Sequence, residues 1–159
     1  MMHLTSWQFD PVKGEYRPIG DAAQGGTGEI SAIDQFHSKT MLLLGATGFV
    51  GKVLLALVLD RFPELKHLVI QVRPKKNLSG EQRFYSEILE SASLRPTVER
   101  IGVESIRKKV SIVEGDLSLP MCGIPAEQLA QLTDKVDVVI NTAGLVEFTP
   151  PLEESLITN

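Results

Sequence analysis

The chain has 159 residues, 43% of them hydrophobic and 23% charged, which suits one globular domain with a sizeable core. A net charge of −4 argues against a general nucleic-acid binder, which would be basic. Cys122 is the only cysteine, and His3, His37 and His67 are scattered without ligand spacing, so neither a disulfide framework nor a metal centre is expected.

The first thirty residues carry no basic start followed by an apolar core, so no secretory signal is read there. With one cysteine, that fits a reducing, cytoplasmic setting. Residues 1–38 read as an amino-terminal extension. Ser6 to Arg17 has the pattern of a small hairpin, with Asp10 to Gly14 as the turn. Asp21 to Gly28 is rich in Gly and Ala and reads as a linker, because no apolar strand precedes its glycines.

Residues 39–159 then alternate short apolar runs with helical segments, the signature of βαβ units and a parallel sheet. Thr40 to Leu44 is a strand buried on both faces, and Phe49 to Phe62, rich in Leu and Ala, is a helix ended by Pro63. Being apolar nearly all round, that helix is expected to be buried against a sheet and neighbouring helices. Met41 to Leu59 could also be read as a nineteen-residue membrane span. Against that stand three glycines and Lys52 near its middle, which would cost about 3 kcal/mol in a bilayer.

His67 to Val72 is the second strand. Ser79 to Gln82 is a capping box that opens a helix through about Glu90, and Pro96 to Lys109 is a further helix with Val98, Ile101 and Ile106 on its buried side. Val110 to Val113 is the third strand. Met121 to Pro125 is a loop, with Pro125 suited to the first position of a helix over Ala126 to Thr133. Val136 to Ile140 is the fourth strand, and Leu152 to Thr158 reads as the start of another helix. Right-handed crossovers predict the order 3-2-1-4: a partial Rossmann-like doubly wound α/β sheet, cut off after its fourth strand.

The chemistry sits at the strand ends. Gly45, Gly48 and Gly51 lie between the first strand and its helix. Gly45 allows the sharp turn, Gly48 lets the backbone approach a pyrophosphate, and Gly51 lets helix and strand pack closely. The N–H groups and dipole of the helix start then favour the anion. The spacing is G-x-x-G-x-x-G, and a glycine-rich turn without ligand is the competing reading.

At the end of the second strand an NAD enzyme wants an acid for the ribose 2′-hydroxyl. No acid occurs between Glu64 and Glu81; Arg73, Lys75 and Lys76 stand there instead. Positive charge suits a 2′-phosphate, so NADPH is expected over NADH, with a merely solvated turn as the alternative. Asp116 and Leu117 come after the third strand, placed to accept from the adenine amino group and to wall the ring. Asn141 to Gly144 comes after the fourth, with Ala143 and Gly144 small enough to leave room for the cofactor.

These stretches resemble the extended short-chain dehydrogenase/reductase superfamily. More narrowly, they are similar to the NADP-binding part of alcohol-forming fatty acyl-CoA reductases of the male sterility type. The resemblance runs over about residues 39–159. It rests on Gly45-Ala-Thr-Gly-Phe-Val-Gly-Lys, Val72-Arg-Pro-Lys-Lys76, Val113-Glu-Gly-Asp-Leu-Ser118, Val136-Asp-Val-Val-Ile-Asn141 and Val146-Glu-Phe-Thr-Pro-Pro-Leu. It implies that Thr47, Gly48, Phe49 and Val50 hold the pyrophosphate and that Arg73 holds the 2′-phosphate, the charge reading adding Lys76. Asp116 and Leu117 would frame adenine, Ala143 and Gly144 would lie near the nicotinamide ribose, and Asn159 would support the proton relay. The chain departs from those reductases at Asn141-Thr-Ala-Gly144, where they more often read His-x-Ala-Ala.

The family's chemistry also needs a Tyr-x-x-x-Lys pair. Only Tyr16 and Tyr85 occur, and neither has Lys four residues on. The expectation is therefore the NADPH-binding portion of a longer oxidoreductase that reduces an acyl-CoA or acyl-carrier thioester to aldehyde or alcohol, inactive as residues 1–159 alone. The alternatives are a thioester-reductase domain of a carboxylic-acid reductase or peptide synthetase, and a non-catalytic NADP-binding module. An unpaired fourth strand would favour self-association.

Overall fold

The computed structural model describes residues 6–10, 15–19 and 31–144. The chain divides into two compact units, Met1–Ser31 and Ala32–Asn159. In the first, β1 (Ser6–Asp10) and β2 (Glu15–Ile19) pair antiparallel with Phe9 opposite Tyr16 and Asp10 opposite Glu15, the hairpin expected from the sequence.

The second unit opens with the short α1 (Ala32–Phe36), whose Phe36 packs edge-on against Phe62 with ring centroids 5.0 Å apart. The sheet comes next: β3 (Thr40–Leu44), β4 (His67–Val72), β5 (Val110–Glu114) and β6 (Val138–Asn141). They pair in parallel in the order β5-β4-β3-β6, the predicted 3-2-1-4 arrangement of a Rossmann-like sheet.

Pleating explains why the two central strands are apolar on both faces apart from Thr40, His67 and Gln71. Met41, Leu43, Leu68, Ile70 and Val72 face one layer of helices. Leu42, Leu44 and Val69 face the other side, with Val113 and Ile124. Each fully buried Leu, Ile or Met contributes about 1.5–3 kcal/mol. The first layer holds α2 (Phe49–Arg61), α3 (Gly80–Arg83), α4 (Arg95–Ile101) and α5 (Val103–Lys109). An Arg100–Asp60 ion pair ties α4 to α2. On the other face α6 (Ala126–Thr133) brings Leu129 and Leu132 against the sheet, with Val136 behind them.

The structure corrects several local readings. The apolar run from Met41 to Leu59 is divided between a strand and a helix by the glycine turn. No helix among the described residues is long and apolar enough to cross a membrane. α2 buries Leu55, Val58 and Leu59 in the core as expected, but it keeps an exposed side as well, with Phe49 79% and Val50 61% exposed and Leu57 beside them. The capping box at Ser79 holds, with Gln82 N–H donating to Ser79 Oγ at 3.1 Å and Ser79 N–H to Gln82 Oε1 at 2.9 Å. The α-helix it opens widens after one turn into a π-helical segment over Phe84–Ile88, a shift that composition does not announce.

The stretch from Pro96 to Lys109 is two helices, because Gly102 at φ 80° ends α4 and starts α5. Thr97 and Ile106 are buried, whereas Val98 and Ile101 are half-buried. Pro125 caps α6 from outside its first turn, and β6 starts two residues later than predicted. The segment before it is also not plain loop: Pro120–Gly123 is a short helical turn with Met121 and Cys122 in the left-handed region.

Asp137 joins the two amino ends of β6 and β3. Its Oδ2 accepts from Thr40 N–H at 2.8 Å and its Oδ1 from Lys39 Nζ at 3.2 Å. These bonds, the Thr40 amide first, hold its carboxyl below the ordinary value of 3.8. A lowered carboxylate pKa adds stability above the unfolded value and loses it as pH falls through the folded one. Asp137→Asn should therefore flatten the drop in thermal midpoint below about pH 4, read by melts across that range; an unchanged acid limb would contradict it.

Candidate functional site

The carboxyl ends of the four strands open onto one groove of about 520 Å³. Its walls come from the turn after β3 (Gly45, Thr47, Gly48, Phe49, Val50), the end of β4 (Gln71, Arg73), Arg83 of α3, the turn after β5 (Asp116, Leu117, Ser118) and the turn after β6 (Thr142, Ala143, Gly144). A larger cleft, about 690 Å³, lies at the opposite, amino end of the strands around Lys66, His67 and Lys135. In open parallel α/β sheets ligands bind outside the carboxyl ends, so the smaller groove is the candidate.

The glycine turn is built by close approach. Gly45 has φ 82°, and a Cβ there would stand 2.4 Å from the Ala143 nitrogen. A Cβ on Gly51 would stand 2.2 Å from the Gly45 carbonyl oxygen, so α2 rests directly on the turn. Gly48 differs: its Cβ would meet only the Gly45 oxygen, at 3.4 Å, an ordinary contact. Among the described residues nothing else beyond its chain neighbours lies within 4 Å of that position. Gly48 is the N-cap of α2, and among the described residues no side chain caps the start of that helix. The first N–H groups of a helix lack intrahelical partners and carry the positive end of its dipole.

Two arginines meet at the far end. Arg73 is 67% exposed, with its Nη1 3.5 Å from Asp116 Oδ2. Arg83, to which no sequence motif points, is only 11% exposed and far better fixed. It donates Nη1–H to the Arg73 carbonyl, and Nε and Nη2 to Glu87 Oε2 at 3.0 and 2.7 Å. Those bonds hold the Glu87 carboxyl below its usual range. Ten residues beyond Arg73, Arg83 is legible only once the helical turn after the capping box is known to return it to the strand end.

The structure does not bring Lys76 to the groove. Lys75 and Leu78 exchange backbone hydrogen bonds at 3.0 and 2.9 Å, and Lys76 sits in that tight turn at φ 50°. Gly51 supports the turn without lining the groove, and Asn159 lies outside the described residues, as does the helix expected over Leu152 to Thr158.

Asp116 Oδ1 accepts from Ser118 Oγ–H at 2.7 Å and from Ser118 N–H at 3.0 Å. The Ser118 hydroxyl, then its amide, then Arg73 lower the Asp116 pKa. Beneath it lies Gln71, only 4% exposed, which donates to the Gly115 carbonyl and fixes the turn. Gln71→Leu would leave that carbonyl unpaired and should cost about 1–3 kcal/mol in a denaturant melt; a neutral result would mean the turn holds itself. On the other side Asn141 Oδ1 accepts from Ala143 N–H at 2.9 Å, and Thr142 binds the Leu44 carbonyl through both its amide and its hydroxyl.

The model of the male sterility protein family matches residues 43–159, which hold the whole of this groove. The chain belongs to that family. Within it, this male sterility domain is 31% identical over 134 residues to Probable fatty acyl-CoA reductase 4 of Arabidopsis thaliana, covering 81% of the chain and 27% of that protein. It is 30% identical over 131 residues to fatty acyl-CoA reductase 2 of Bos taurus, covering 82% of the chain and 25% of the relative. Among solved structures it is similar to the reductase domain of a nonribosomal peptide synthetase from Mycobacterium tuberculosis. There the identity is 27% and the TM-score 0.54, over 70% of this chain and 26% of that one. The chain thus spans about a quarter of the length of the curated relatives it matches.

Proposed function

We propose that the groove binds NADPH and that the chain is the cofactor half of an acyl-thioester reductase. The observation that carries this is the pairing of an uncapped helix start, at Gly48 to Val50, with two arginines at the end of β4 where an NAD enzyme keeps an acid. In this reading the first-turn amides of α2 take the pyrophosphate, and Arg73 and Arg83 take the 2′-phosphate. Asp116 and Leu117 meet the adenine, and Ala143 and Gly144 leave space toward the nicotinamide. Lys76 stays in solvent. Bound NADPH supplies a hydride; the residues here hold and orient it.

The whole protein's substrate is proposed from its relatives: a fatty acyl-CoA, with hydride transfer to the thioester carbonyl giving an aldehyde and then an alcohol. The second reading is a carrier-bound thioester, favoured by the likeness to a synthetase reductase domain. A cytoplasmic setting fits the lone Cys122. Fluorescence titration of residues 1–159 with NADPH and NADH tests the cofactor; equal affinities would defeat the proposal. Asn159 is proposed only as a support for a proton relay whose Tyr-x-x-x-Lys pair does not occur in these residues, so they should not oxidise NADPH with a long-chain acyl-CoA.

Self-association through β6 belongs to the same reading. Among the described residues β6 pairs only with β3, and Val139 is 58% exposed. An open apolar strand edge invites pairing with another chain. Size-exclusion chromatography should therefore show oligomers that Val139→Lys reduces; a well-behaved wild-type monomer would contradict this.

A further inference from the structure

We infer that Glu114, which does not line the groove, is a positioning residue for recognition of the 2′-phosphate. Its carboxylate ties the carboxyl end of β5 to the helix that delivers Arg83. The inference rests on the NADPH reading.

The geometry is a short chain of contacts. Glu114 Oε1 accepts from Gly80 N–H at 2.6 Å, the first amide of α3. Ser79 and Gln82 satisfy one another in the capping box but leave that amide to Glu114. Gly80 fits with no room to spare, since a Cβ there would stand 3.0 Å from both the Val72 carbonyl oxygen and Glu114 Cγ. The start of α3 is thus pressed against the last residue of β4, immediately before Arg73. One turn later Arg83 reaches the Arg73 carbonyl and lines the groove.

The backbone beyond Arg83 makes this anchoring matter. It widens into the π-helical segment, where Leu89 N–H donates to the Phe84 carbonyl at 3.0 Å across five residues. α3 itself is only four residues long. So short a helix has little hold on its own direction, because helical stability accumulates with length and packing. Its direction is set by Phe84 and Ile88 in the core at one end and by Glu114 at the other. A carboxylate on a first-turn amide also complements the helix dipole. Without it the start of α3 is free to lift from Val72, and the Arg83 fork, whose use depends on angle as much as charge, moves with it.

The test is a double-mutant cycle on NADPH binding to residues 1–159. Glu114→Ala should weaken NADPH by about 3- to 10-fold, as loss of a helix cap would suggest, and leave weak NADH binding unchanged. Glu114→Gln, which keeps an acceptor oxygen at the same reach, should restore most of it. In an Arg83→Ala background Glu114→Ala should add nothing. An equal loss in both backgrounds, or no loss in either, would overturn the role assigned to Glu114. If Glu114→Ala does not fold, Glu114→Asp, one methylene shorter, enters the same cycle. Failure of wild type to bind NADPH, or indifference of NADPH to Arg83→Ala, would instead defeat the underlying cofactor reading.

Discussion

Arg83→Ala should weaken NADPH binding by about 10- to 100-fold and leave NADH binding within a factor of about three. A hydrogen bond to a charged group contributes about 1.5–3 kcal/mol, and each 1.4 kcal/mol is tenfold in affinity. The upper part of that range applies because Arg83 is 11% exposed and held by Glu87 and the Arg73 carbonyl, so its fork is preorganised and little screened. Arg73 is 67% exposed, with only a long contact to Asp116, and its replacement should cost less. Isothermal titration of both variants with both cofactors reads the ratio. Equal losses for NADPH and NADH would mean that Arg83 supports the fold rather than the phosphate.

Two glycines of one motif should fail in different ways when changed to alanine. Gly51→Ala drives a methyl group to 2.2 Å from the Gly45 carbonyl oxygen and 2.7 Å from Ala46 Cα, both backbone atoms that cannot step aside. Overpacking of this kind costs about 1–3 kcal/mol or more, and the upper end is expected where nothing can yield. The variant should melt much lower and bind no NADPH. Gly48→Ala adds a methyl group 3.4 Å from a single oxygen, so its melt should stay within about 1 kcal/mol of wild type. Its NADPH binding should nevertheless collapse, because the added methyl occupies the path of the pyrophosphate over the helix start. Parallel losses of stability in both variants would mean that Gly48 serves packing alone.

The contrast between those glycines shows how much a motif reveals by itself. The sequence places three glycines between a strand and a helix, but only the backbone separates Gly48, where a Cβ would meet a single oxygen, from Gly45 and Gly51, where it would strike backbone. The basic turn at Arg73 to Lys76 behaves the same way. Its lack of acids is visible in the letters, while the chain direction at Lys75 to Leu78 carries Lys76 off and the turn of α3 brings Arg83 in. Glu114 was hidden for a related reason: its work is done on an amide thirty-four positions away in the chain.

Local rules carried the rest. The apolar runs of β3 and β4, the capping box at Ser79, the hairpin at Asp10 and the alternation that requires right-handed crossovers are all short-range or chirality-driven, so strand order could be written from sequence. The π-helical widening after Arg83, the left-handed turn at Met121 and Cys122 and the exposed stripe of α2 were visible only in the structure, and so was the break at Gly102, which is local: its φ of 80° ends the helix with no neighbour against it among the described residues. The sequence determined where the groove opens, at the carboxyl ends of the strands. Tertiary contact decided which side chains reach it, because reach depends on direction and direction is fixed by neighbours far away in the chain.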